Sequence, residues 1–292
     1  MVWLLLALVC ALAQALADAL SRKLLPHAST AELVVVRFVG TAVLLLPLVL
    51  LNPPPAAALP AVFWGWVGLA LPLELLAMVL YMAAIRASPL ALTLPYLAFT
   101  PVFAALNGWL VLGERVSAHG LAGVGLVVAG AWALNLEPPV PGRRRRWLAP
   151  LAAIGRERGS RLMLGVALIY SLTSVLGKGA LQSLPAATFG PFYYLLLGLC
   201  TAALFAWREP RALRCLRSPN WRHGLIALCM AIMVLTHFLA VERVQVAYMI
   251  AIKRTSILFG ILLGGLWLGE TRLLQHLLAA TLMVAGVVLV VL

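Results

Sequence analysis

Apolar residues in this chain run in blocks of about twenty, separated by short stretches that hold most of its charges. A helix rising 1.5 Å per residue needs about twenty such residues to cross ~30 Å of hydrocarbon. That window predicts ten membrane helices, over residues 2–20, 32–51, 62–85, 89–111, 117–136, 162–181, 188–206, 223–242, 245–267 and 272–291. Residues 2–20 lack the positive leading segment of a signal peptide and read as the first span. Trp64, Trp66, Trp109, Trp207, Trp221 and Trp267 fall near predicted ends, the headgroup level that amphipathic rings favour.

A shift of 156 residues lays "FAALNGWLVLGE" (103–114) on "FGILLGGLWLGE" (259–270), with Phe103 on Phe259, Gly108 on Gly264 and Glu114 on Glu270. Val128-Ala129-Gly130 then meets Val284-Ala285-Gly286 without a gap. The chain reads as a duplicated five-span unit, residues 1–137 and 161–292, joined by a basic loop at 138–160 rich in Pro, Gly and Arg. An odd number of spans turns the second copy over in the membrane. The predicted fold is therefore an all-α integral membrane protein, ten transmembrane helices as two inverted five-helix repeats. In that plan substrate binds near the midplane, between the halves.

Composition agrees. Of 292 residues 64% are hydrophobic and 11% charged, against about half and a quarter in soluble domains. The net charge of +13 does not point to nucleic acid, because the arginines cluster in short loops with no basic soluble domain behind them. Loops after the odd-numbered spans carry most of the Lys and Arg, and the opposite loops only Arg115 and Arg243. The positive-inside bias places the "RRRR" loop in the cytoplasm and both termini outside. Cys10, Cys200, Cys215 and Cys229 have no metal or redox spacing and read as packing residues.

The stretch "YMAAIRASPLALTLPYLAFTPVFAALNGWLVLGERVSAHGLAGVGLVVAGAWAL" (81–134) and its second copy "THFLAVERVQVAYMIAIKRTSILFGILLGGLWLGE" (236–270) resemble the EamA family of the drug/metabolite transporter superfamily. The early arginine of span two, Arg37, and Lys23 and Lys178 closing the first span of each half fit the same pattern. The likeness covers nearly the whole chain. It implies a small-molecule transporter and leaves the substrate open, since members carry amino acids, metabolites, sugars and drugs. External termini depart from the cytoplasmic ones usual in that family.

Charges inside spans are costly and by default mark function. Lys253 and Arg254 lie about eight residues into span nine, ~12 Å deep. Either they snorkel or form structural salt bridges, or they make an anion site, with Arg supplying a planar fork and Lys a point charge. The adjacent pair also resembles that of the plastid triose-phosphate/phosphate translocators, where it grips phosphate, which implies an anionic ligand, phosphorylated solutes among the candidates. Glu74, mid-way along span three after Pro72, is either a fixed partner for Lys253 or Arg254, a coupling-proton site, or the partner of a cationic substrate. Arg37 sits near an end, within reach of snorkelling or ligand. Asp18 is expected to pair with Arg22 one turn on, and Glu114 and Glu270 to cap the helices that follow them.

Tyr81, Tyr96, Thr100, Asn107, Tyr170, Ser174, Tyr193, Tyr194, His237 and Ser256 could line a polar pocket or hydrogen-bond between helices. Tyr81 and His237 hold equivalent repeat positions, and Ser256 shares a face with Lys253. The substrate-binding set drawn from all of these is Lys253, Arg254, Glu74, Tyr81, Tyr96, His237, Ser256, Arg37 and Lys178. No hydrolase, nucleotide-binding or metal motif is present. Neither an enzyme nor a cofactor is expected.

The sequence reads as a secondary carrier of a small organic, anionic solute in a bacterial inner (plasma) membrane, a monomer or homodimer, with a coupling proton among its partners. The rivals are an exporter of amino acids or cationic drugs and a lipid-phosphate flippase. A C-terminal reporter active only in the cytoplasm is expected to stay silent in cells; activity there overturns the charge-derived orientation.

Overall fold

The computed structural model describes residues 1–55, 59–87, 94–134, 158–217, 220–260, 263 and 273–291. The arginine-rich loop and residues 264–272, with Gly264, Trp267 and Glu270, lie outside these residues. Every regular element among the described residues is helical. This follows from the apolar runs, since in lipid a helix satisfies its backbone N–H and C=O groups within itself.

The first half begins with α1 (Val2–Leu24). The second span is α2 (Thr30–Val35), a π turn at Val36–Gly40 and α3 (Thr41–Leu51) stacked end to end. Ser29 starts it by accepting the Glu32 N–H at 3.1 Å, a side-chain cap. Next come α4 (Ala61–Ala87), a 3₁₀ turn at Leu94–Phe99, α5 (Thr100–Leu112) and α6 (Ala118–Leu134). The second half holds α7 (Arg158–Ala180), α8 (Ala186–Arg208), α9 (Trp221–Val241), α10 (Val246–Lys253) and α11 (Leu273–Val291).

Among the described residues six helices are long and apolar enough to cross a membrane: Val2–Ser21, Thr30–Leu51, Ala61–Ala84, Arg158–Ala180, Ala186–Arg208 and Trp221–Val241. Tyr96–Leu112, Ala118–Ala133 and Thr281–Val290 are shorter apolar helices.

Packing follows the duplication. Helix α1 lies on α9, and its counterpart α7 lies on α4. The contact of α5 with α7 has its counterpart in α10 with α1, while α3 meets α8 and α6 meets α11. Exchanging the two halves maps each pairing onto another or onto itself.

The ninth apolar run, expected as one helix, is interrupted. Helix α10 ends at Lys253, Arg254 and Thr255 form a turn, and helical backbone resumes over 256–260. At the matching place in the first half the 3₁₀ turn ends at Phe99 and α5 starts at Thr100, the repeat equivalent of Ser256. The cause in the first half is Pro101. It has no N–H to give the carbonyl of Leu97, and the Thr100 hydroxyl donates to that carbonyl instead at 2.6 Å. In the second half the Thr255 hydroxyl donates to the Ile252 carbonyl at 2.7 Å. Each interruption is thus sealed by a threonine.

The α6–α11 contact is backbone on backbone. A Cβ on Gly123 would lie 2.7 Å from Val290 Cγ2 and 2.8 Å from the Gly286 carbonyl, and one on Gly286 would lie 2.7 Å from the Gly123 carbonyl. Small residues allow such approach between membrane helices. Gly123→Val and Gly286→Val are each expected to cost about 1–3 kcal/mol by overpacking, read as a lower melting temperature of the purified protein in detergent.

Candidate functional site

Helix α10 delivers two cations to its own C-terminal end. The carbonyls there carry the negative pole of the helix, which favours positive charge. Arg254 is 8% exposed and Lys253 half-buried. Lys253 Nζ lies 3.5 Å from Met233 Sδ of α9. Among the described residues neither cation has an ion-pair partner, and Arg254 Nε has no hydrogen bond. Tyr81 of α4, Tyr170 of α7 and Cys10 and Asp18 of α1 are the titratable groups around Arg254.

Glu74 of α4 is not ion-paired with either cation, so the fixed pairing considered from sequence does not form in this state. Its carboxyl is influenced by Thr173 and Lys253, and it acts in turn on Tyr170, Tyr193 and Tyr194. The Tyr170 hydroxyl reaches Met78, one turn from Glu74 on the same helix, at 4.0 Å from Sδ. Tyr81 and Tyr170 lie with ring centroids 6.5 Å apart, and Tyr193 and Tyr194 are buried side by side on α8. His237 of α9 packs edge-on to Phe238, is influenced by Lys253 and Arg254, and leaves Nδ1 unbonded. One acid, two cations, a histidine and a group of tyrosines therefore converge from α4, α7, α8, α9 and α10.

Arg37, placed from sequence within reach of snorkelling or ligand, is instead buried and paired with an acid. It sits in the π turn and is 2% exposed. Its Nη2 donates to Asp18 Oδ1 at 2.7 Å, Ser21 Oγ at 3.0 Å and the Ala17 carbonyl at 3.3 Å. Asp18 is thus bonded across the helix interface, because a buried guanidinium needs an acidic partner; the Arg22 side chain, its partner expected from sequence, lies outside the described residues. Gln14 Nε2 holds the other carboxylate oxygen at 3.1 Å. Arg37 Nε and Nη1 remain without partners.

Three residues of the predicted set lie apart from the cluster or at its edge. Tyr96 is fully buried with its ring edge-on to Trp132, 6.3 Å between centroids. Lys178 ends α7 in an ion pair with Glu114 and donates to the Val244 carbonyl at 2.6 Å. Ser256 is the half-buried first residue beyond the break. Glu114 caps a helix as expected, but one in the other half: its Oε2 accepts the Val246 N–H at 3.0 Å. Gln14 and Thr173 were not singled out from sequence, and Cys10 was read only as a packing residue. The spacing of Gln14, Asp18 and Ser21, one polar face on an apolar helix, is the signal that marks the first span's contribution.

Apolar helices long enough to cross a membrane, with charged side chains gathered between them, define an integral membrane protein with a polar interior. The chain belongs to the EamA-like transporter family, whose profile matches residues 1–136 and 158–292. It is a multi-pass protein of the lipid bilayer with the two-repeat fold of that family, and a membrane transporter of small molecules. A solved crystal structure superposes with a TM-score of 0.70 over 98% of this chain and 94% of that one, at 17% identity, a likeness of fold. No curated protein matches the sequence.

Removing one member of a buried ion pair leaves the other uncompensated, at about 3–5 kcal/mol. Asp18→Ala is expected to lower the melting temperature sharply, and adding Arg37→Met to recover most of the loss. Equal stability of the single variant and the parent would show that the pair does not hold these helices.

Proposed function

We propose that the protein is a secondary-active carrier that moves a small organic anion, phosphorylated or carboxylated, by alternating access between two inverted halves in a bacterial inner membrane. The observation that supports this reading is the pair of cations at the end of α10 with no acidic partner among the described residues. Charge balance favours an anion. Glu74 is the only acid in the middle of an apolar run, and Asp18 is used by Arg37. With Glu74 ionised, Lys253 and Arg254 leave an excess of one positive charge. In low dielectric that excess is costly until a negative group arrives.

Arg254 supplies a planar fork and Lys253 a movable point charge, a combination suited to phosphate or carboxylate oxygens. The tyrosine hydroxyls and His237 give further hydrogen bonds and shape the pocket. Glu74 balances charge and exchanges the coupling proton: when it is protonated the excess rises by one, so the proton and the anion favour each other's binding. A second reading, export of amino acids or cationic drugs, draws on Glu74 itself, an acid with no ion pair among the described residues, beside three tyrosines. A lipid-phosphate flippase would use the same two cations for a headgroup.

A hydrogen bond to a charged group contributes about 1.5–3 kcal/mol. Lys253→Gln and Arg254→Gln are therefore each expected to reduce anion uptake into proteoliposomes about 10- to 100-fold, with membrane abundance unchanged. In the same assay Glu74→Gln is expected to lose its dependence on the pH gradient. Undiminished uptake by both cation variants overturns the anion reading, and competition by substrate confined to the aqueous side separates a soluble solute from a lipid.

A further inference from the structure

The end of the bundle that carries residues 113–117, 181–185 and 242–245 is fastened between the two halves. Helix α5 stops at Gly113, whose φ of 68° turns the chain back. That turn aims Glu114 across the interface. One carboxylate oxygen is ion-paired with Lys178 at the end of α7, and the other accepts the Val246 N–H, the first of α10, at 3.0 Å. Lys178 also donates to the Val244 carbonyl at 2.6 Å. Beside this knot the Tyr248 hydroxyl accepts the Ser117 N–H at 3.1 Å. Deeper in, Asn107 Nδ2 donates to Ser171 Oγ at 2.7 Å, joining α5 to α7.

We infer that Glu114 and Lys178 are positioning residues that close this end and hold the half-helix bearing Lys253 and Arg254. Helix α10 has eight residues, ~12 Å of rise. Its N-terminal N–H is held by an acid and its C-terminal end carries the cations, so both poles of its dipole are matched. A passage through this end requires Glu114 to leave Lys178. The same carboxylate holds α10, so its departure frees the helix that places the cations. Opening and site geometry are coupled through one side chain. The inference rests on the transporter fold and not on the sign of the substrate's charge.

The variants separate the two bonds. Glu114→Gln keeps an oxygen for Val246 and loses the ion pair, and Lys178→Met loses the ion pair and the bond to the Val244 carbonyl while leaving the Glu114–Val246 bond in place. In a chain freed of its four cysteines, Ser174→Cys places a thiol on α7 one turn inward from Lys178. A membrane-impermeant maleimide is added on the side bearing residues 113–117. Labelling is expected to be slow in the parent and at least about tenfold faster in both variants. A parallel chain keeps buried Cys229 as its only cysteine, and its labelling should not change. Rates at position 174 within twofold of the parent overturn the inference. So does an equal acceleration at Cys229, which signals general loosening.

Discussion

A free carbonyl or N–H in hydrocarbon has no water to turn to, and each costs several kcal/mol. Any interruption of a helix inside the membrane must therefore be repaired by the protein itself. The chain makes such interruptions at equivalent places, Leu97–Thr100 and Lys253–Ser256. In both it repairs them with a threonine hydroxyl donating to the carbonyl three residues back. What the second break gains is position. The C-terminal pole of a short helix ends inside the bundle, and the two cations are stationed there. A continuous helix would have spread the same residues along a uniform cylinder with no pole to hold them.

The other buried charges answer to the same cost. Arg37, set in a π turn, has an acid, a hydroxyl and a carbonyl around one nitrogen. Lys178 and Glu114 satisfy each other and two backbone groups besides. Lys253, Arg254 and Glu74 stand out because they lack such closure among the described residues. A contrast within one molecule, structural charges each joined to an opposite charge and others without an ion pair among the described residues, is stronger guidance to a solute site than the presence of buried charge alone.

Much of the architecture was legible in the apolar runs, and six of them became long helices. The 156-residue repeat announced the exchange of helix pairings between the halves. The breaks were not legible, because hydropathy averages over side chains and does not register which carbonyl has lost its donor; Pro101 was the visible clue in the first half. Local pairing rules also fell short. Asp18 is bonded to Arg37 on the next helix, a partner that one-turn spacing does not bring into view. Glu114 was read against the helix that follows it, while its bonded amide lies 132 residues away. Of the predicted set, the charged and aromatic residues of α4, α9 and α10 meet. Tyr96 and Lys178 looked alike from the sequence and serve other contacts, because composition does not say which way a side chain turns.

Glycines in membrane helices commonly form the seam at which two copies of a protein associate. In this chain Gly123 and Gly286 are consumed by each other, with no room left for even a methyl group. That stripe is closed to a neighbouring molecule, so any homodimer has to be built on a different face of the bundle. Gly65, Gly68 and Gly125, where an added Cβ would meet nothing within 4 Å, remain free for such contact.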